Sequence, residues 1–319
     1  MTRRSAATAA LTLIAVSAMA GRQVPSSVPD RGAPLDVTEF RYRRPLPDGT
    51  GGLMALQLDA AVLSHSRGPS GNFGDVRVVD EQGNQVPYLI ERRAEPISLD
   101  LAAEPAAPQV RALREATGGN RSIYAITLPY PNLPDPRLVI ETSDRVFRRT
   151  LQVGVERPPD RRQREMWFDV LATPVWQHAD QGTAAPPLEI PIAPGEGTDV
   201  LLIVEEGDNR PLPITAVRLL LPSWRLRFFG PAVPLRLIYG KRDIAAPAYD
   251  LALLAPAVMG SEALEISAAP EESSTSSPAA VLSPRVFWIA LGAAVLVLLG
   301  LIVRLISSAA PPPPSPPAP

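Results

Sequence analysis

Prolines divide this chain so often that long helices have little room. There are 38 in 319 residues, about 12% against roughly 5% in average usage. A proline inside a helix removes a backbone donor and clashes with the preceding turn. In a central strand it removes a ladder hydrogen bond. Here the prolines fall mostly between short apolar runs, the pattern of an all-β body with tight connections. Hydrophobic residues make up 45% of the chain, enough for a packed core.

The clearest strand signal is residues 75–92. Val76 and Val78 alternate with Arg77 and Val79, Asp80-Glu81-Gln82-Gly83-Asn84 is turn chemistry, and Val86, Tyr88 and Ile90 alternate with Pro87, Leu89 and Glu91. This predicts a hairpin with one buried face, Pro87 taking an edge or unbonded position. Similar runs fall at 53–59, 123–128, 137–142, 151–155, 188–192, 200–204, 214–221, 226–229 and 235–239. Short, evenly spaced strands with Pro, Gly and Asn turns argue for β-sandwiches. One helix-like stretch lies at 109–116. The segment 94–108 holds Pro96, Pro105 and Pro108 among many alanines. It reads as the boundary between an N-terminal β-domain (36–100) and a larger sandwich (109–258).

The two ends carry targeting signals. Arg3 and Arg4 precede an apolar stretch at 6–16, and Ala18-Met19-Ala20 supplies a small–x–small cleavage site. Residues 1–20 therefore read as a secretory signal peptide cleaved between Ala20 and Gly21. Residues 286–303 carry no charge, and the apolar stretch extends to 306. Such a helix covers about 27–30 Å, the hydrocarbon thickness. Arg285 and Arg304 bracket it as snorkelling residues, and Trp288 suits the membrane interface. A C-terminal transmembrane helix following a signal peptide places the body in the periplasm, anchored to the bacterial inner membrane lipid bilayer, with the Pro-rich tail (307–319) in the cytoplasm. The Ser/Ala/Glu/Pro-rich stretch 261–284 is expected to be a disordered linker.

Composition narrows the chemistry. The chain has no cysteine, which excludes disulfides, thiolate metal sites and a cysteine nucleophile. A net charge of −2 provides no field that would select nucleic acid as a partner. The two histidines, His65 and His178, sit in loop-like contexts without a Gly-x-Ser-x-Gly elbow. Glu205-Glu206-Gly207-Asp208-Asn209 gathers oxygen atoms suited to calcium, but ordinary turn preferences explain it equally well. Residues 157–165 form a basic loop, read as a solvated hairpin tip. Trp167, Trp176 and Trp224 are the candidates for stacking on sugar rings, against the commoner role of core packing. These residues predict no catalytic site, no metal site and no cofactor.

Several phrases carry a resemblance. Phe40-Arg41-Tyr42-Arg43-Arg44-Pro45, Gly74-Asp75-Val76-Arg77-Val78-Val79-Asp80 and Val86-Pro87-Tyr88 resemble the opening of a group of uncharacterised bacterial single-pass envelope proteins. Val146-Phe147-Arg148-Arg149-Thr150-Leu151-Gln152-Val153, Gly207-Asp208-Asn209-Arg210-Pro211-Leu212-Pro213-Ile214 and Leu235-Arg236-Leu237-Ile238-Tyr239-Gly240 look like strands and turns of a discoidin-like, galactose-binding-like sandwich. The resemblance spans residues 38–255 and implies fold and location without an activity. The expectation is a tandem β-sandwich ectodomain, the second sandwich galactose-binding-like, plus one transmembrane helix. It would act as a non-catalytic binding or scaffolding protein toward an integral membrane protein or an envelope glycan. The alternatives are an accessory subunit of a polysaccharide synthesis or export complex and an envelope glycan hydrolase.

Overall fold

The computed structural model describes residues 31–49, 51–115, 120–193, 195, 197–273, 298–299 and 304. The signal peptide with Ala20 and Gly21 lies outside them. So does the expected span with Arg285 and Trp288, apart from Leu298, Leu299 and Arg304, which are helical. No helix among the described residues is long and apolar enough to cross a membrane. Met1–Glu272 makes one compact unit and Ser273–Pro319 a second.

The strands in chain order are β1 (Tyr42–Pro45), β2 (Leu53–Leu58), β3 (Arg77–Asp80), β4 (Tyr88–Leu101), β5 (Glu104–Pro105), β6 (Asn120–Thr127), β7 (Arg137–Thr142), β8 (Phe147–Arg157), β9 (Trp167–Ala172), β10 (Val175–His178), β11 (Leu188–Pro191), β12 (Asp199–Gly207), β13 (Ile214–Phe229), β14 (Leu235–Tyr239) and β15 (Leu264–Ile266). They form three sheets with few, short helices, the composition of a β-sandwich protein. In the first sheet β14 lies between β1 and β3. In the second, β12 lies between β8 and β6, with β9 and β10 sharing the far side of β8.

The third sheet is organised by β13. One side of this 16-residue strand pairs with β4 from Val217 to Phe228. The other side pairs first with β7 and then with β2, which carries β15 in parallel register. The runs at 214–221 and 226–229, read separately from the sequence, are thus one strand. Pro222 does not end it. The β4 ladder shifts register between Leu221 and Ser223. The buried set changes from Val217, Leu219 and Leu221 to Trp224, Leu226 and Phe228. A change of parity at a bulge keeps alternate residues inward where an unbroken strand would turn them out. Both sets, with Leu202 and Val204 of β12 and Leu237 and Tyr239 of β14, belong to one core cluster.

Three expectations need correction. Residues 94–101, read as part of a domain boundary, are the second half of β4, and Ile97, Leu99 and Leu101 pack on the core. The hairpin at 75–92 keeps its turn, where Asp80 Oδ1 accepts from the Gln82 and Asn84 amides (3.0 and 2.8 Å). Its strands then enter different sheets, β3 beside β14 and β4 beside β13, and β3 is buried on both faces. Finally, part of the expected linker is ordered. The β15 strand pairs with β2, Arg44 donates to the carbonyls of Ala268 and Ala269 (3.2 and 2.5 Å), and Glu271 accepts from the Tyr239 hydroxyl (2.5 Å).

Helix α1 (Ala60–His65) places His65 at a helix end rather than in a loop. Asp59 caps it, accepting from the Val62 amide at 3.2 Å, and Ala60 to Leu63 are buried. The helix-like stretch at 109–116 is present as α2 (Arg111–Glu115).

Glu91 fastens β4 to β13. It accepts two bonds from Arg225 (2.6 and 3.0 Å) and one from the buried Arg227 (3.2 Å). The Arg225 hydrogen bonds, reinforced by Arg227, hold the Glu91 carboxyl below its ordinary value near 4.5. A depressed carboxylate adds stability that is present above the ordinary value and lost as pH falls through the depressed one. The melting temperature should therefore decline as pH drops below about 4.5. Glu91→Gln should melt lower at neutral pH and lose less on acidification. Parallel acid profiles for the two proteins would count against this role.

Because β13 serves both flanks, Leu219→Ala and Leu226→Ala should each cost about 2–5 kcal/mol. Calorimetry should show the same single unfolding transition displaced in each. Two transitions, each moved by only one variant, would mean the flanks unfold independently.

Candidate functional site

A concavity of about 1070 Å³ opens where β8 begins and β10 ends. Its walls come from residues 144–149, from 177–180 at the end of β10, and from Asn209 and Arg210 after β12. Strand pairing assembles it. Phe147 lies opposite His178 and Arg149 opposite Trp176, while Glu205 of β12 lies opposite Thr150.

One lining residue, Arg149, belongs to a buried ion pair. Arg149 Nε donates to Glu206 Oε2 at 2.7 Å, and the two side chains are 6% and 0% exposed. Glu206 Oε1 accepts from the Ser122 hydroxyl (2.7 Å) and the Leu212 amide (3.0 Å). Arg149 Nη1 and Nη2 donate to the carbonyls of Arg148 (3.0 Å) and Arg210 (3.2 Å). A buried ion pair survives desolvation only when its remaining polar atoms are also satisfied, and here the carboxylate has three donors. The turn that follows is tight. Gly207 takes φ +58, and the Asn209 amide and side chain both donate to the Glu206 carbonyl.

The rim is polar and mostly basic. Arg210 pairs with Asp144 at 2.8 Å. His178 Nδ1 lies 2.5 Å from the Arg145 carbonyl. A carbonyl only accepts, so Nδ1 carries a proton and Nε2 is left for other partners. Asp180 accepts from the Gly182 amide (2.8 Å) and the Thr183 hydroxyl (2.9 Å), and these bonds lower its pKa below the ordinary value.

Of the residues singled out in the sequence, His178 and Asn209 meet here. Glu206 turns inward to Arg149, Glu205 pairs with Arg121 at 2.8 Å, and Asp208 is exposed. The carboxylates of that turn thus do not converge. Among the described residues no group of three or more His, Cys, Asp or Glu is placed to hold a metal ion.

The tryptophans do not form a platform. Trp176 is buried, edge-on to Phe147 at 5.0 Å, with Nε1 donating to the Pro186 carbonyl. Trp224 is buried against Phe73 at 5.4 Å. Both rings are core residues, which takes them out of a sugar-stacking role. Trp167 on β9 is half-buried, and its Nε1 has no hydrogen-bond partner among the described residues. The basic loop 157–165 is a turn capped by Asp160, which accepts from the Arg162 and Gln163 amides (both 2.7 Å). Arg161, Arg162 and Arg164 are exposed.

His65 lies in a separate aromatic cluster. It stacks on Tyr42 at 4.5 Å and pairs with Glu271 at 2.9 Å. Ser64 and Ser66 donate to the carbonyls of Pro131 and Val62, not to the ring.

No family model matches the chain, and no curated protein matches it. Among solved structures, the CBM22-1 xylan-binding domain from Paenibacillus barcinonensis Xyn10C aligns over 54% of this chain and 96% of that domain, at 19% identity and a TM-score of 0.17. A likeness this slight carries no argument about fold or ligand.

Removing Glu206 alone would strand Arg149 in the interior. Glu206→Leu should cost about 3–5 kcal/mol, and adding Arg149→Met should recover much of that loss. Denaturant unfolding of both proteins is the measurement. Additive losses would show that the residues do not act as a pair.

Proposed function

We propose that this chain is a non-catalytic binding or scaffolding protein of the bacterial envelope. Its body comprises tandem β-sandwiches, the second of the galactose-binding-like kind, with β13 common to both. Residues 286–306 anchor it in the inner membrane. The sandwiches face the periplasm and residues 307–319 lie in the cytoplasm. Its partner is an integral membrane protein or an envelope glycan.

The observation that supports this reading is the concavity at the end of β8. Its size lies at the top of the usual range for ligand pockets, about 300–1,000 Å³. Polar groups line it, and two of its arginines are held by carboxylates, Arg149 by Glu206 and Arg210 by Asp144. Polar groups already held by their neighbours suit recognition, because their ordering need not be done on binding.

A photo-crosslinking residue at Gln177, on the rim, tests it in cells. The same residue at Arg161, on the distant hairpin tip, is the control. The full-length protein should give a reproducible adduct from position 177 and none from 161, and deletion of 286–306 should release the body from the membrane fraction. A well-expressed protein with no adduct at 177, or with equal adducts at both positions, would sink the proposal.

A further inference from the structure

Resting on that reading, the arrangement of charge at the concavity narrows the ligand. Four arginines line or rim it, against the carboxylates of Asp144, Asp180 and the underlying Glu206. Those carboxylates are already engaged. Glu206 holds Arg149, Asp144 holds Arg210, and Asp180 folds back on Gly182 and Thr183. The arginines are less fully used. Arg148 is exposed and makes no ion pair or side-chain hydrogen bond among the described residues. Arg145 gives one bond, to the Gln181 carbonyl. Arg149 uses three of the five N–H donors a guanidinium carries.

This is an excess of guanidinium donors, with one member locked by a buried carboxylate. A locked planar fork is prepaid in conformational entropy and matches the two oxygens of a carboxylate or phosphate. Around it, Gln177, His178 and Asn209 offer mixed donors and acceptors at the spacing of single side chains. The concavity is pocket-sized, whereas a stable protein partner would cover an area beyond about 1,000 Å² in total.

We propose that the mouth binds an oxyanion-bearing segment of an acidic envelope glycan, with Arg149 as the fixed fork and Arg148 and Arg145 as the arms that close on it. The oxyanion is a sugar carboxylate or a phosphate ester, which share this recognition chemistry. Because Arg148 and Arg145 are at the surface, salt should weaken the complex.

The test uses the full-length protein in nanodiscs of neutral lipid, read by calorimetry and by amide-exchange protection of residues 145–149 and 177–180. The probes are an oligogalacturonate hexamer, its methyl ester and polyglycerol phosphate. The hexamer, the polyglycerol phosphate or both should bind and protect the mouth, which one does so identifying the oxyanion. The ester should not bind. Arg145→Glu with Arg148→Glu should weaken binding by about tenfold or more while leaving the melting temperature in place. Equal protection by the ester and the acid would overturn the charge requirement and leave the binding reading standing. So would an adduct at position 177 that is purely protein, with no glycan probe protecting the mouth. If no probe protects the mouth and position 177 captures nothing, both proposals fall together.

Discussion

Strand β13 is paired on both sides along most of its length, with β4 on one side and β7 then β2 on the other. Because it is central throughout, neither flank of the third sheet can be assembled without it. The change of inward parity near Pro222 reconciles two runs that would otherwise face opposite ways. Proline is tolerated in a sheet where a ladder bond is already missing, and the register shift supplies that condition. The Glu91, Arg225 and Arg227 bonds then hold β4 against β13 on the face away from the core.

The concavity depends on this framework at one remove. Arg149 and Glu206 are 57 positions apart and meet because β8 and β12 are neighbours. Burial removes water from both groups, so the attraction between them is strong and each is costly without the other. Their geometry is therefore set by the fold, before any ligand arrives. The exposed arginines around them are held more lightly, Arg210 by Asp144 and Arg145 by one carbonyl, so one small region combines a buried ion pair with surface guanidinium groups.

Much of the strand layout was legible because it is local. Alternation with Pro, Gly and Asn punctuation located 137–142 and 235–239 at the bounds the structure shows. Residues whose role depends on distant partners were not legible. Arg43 and Arg44 disguise β1, although Arg44 is buried against Asp59 and the 268–269 carbonyls. Pro222 looks like a break until β4 is seen opposite it. The ordered stretch of the expected linker has the composition of a disordered one, and its fixed points lie on β1, β2 and β14. Asp59 ahead of Ala60-Ala61-Val62-Leu63 was a readable helix-start signal. For the candidate site, His178 and Asn209 were noticed for other reasons. Glu206 was noticed as part of a calcium-like turn and Arg149 within a resembling phrase, but nothing local marks the two as partners 57 positions apart.

The order in which the strands find partners bears on how the chain matures. Leu58 of β2 waits for Trp224, and Asp80 of β3 waits for Leu235; β3 meets the 84–86 segment at once through its turn, but β2 and the β14-facing edge of β3 lack their sheet partners until more than 150 further residues have been delivered. Contacts this distant close slowly, because the loop entropy is spent before the contact returns anything. Meanwhile Met54, Leu56, Val76 and Val78, all fully buried at the end, are presented to solvent as bare strand edges. A nascent chain of this design is exposed to aggregation during synthesis, because its early apolar strands stand unpaired before β13 and β14 arrive.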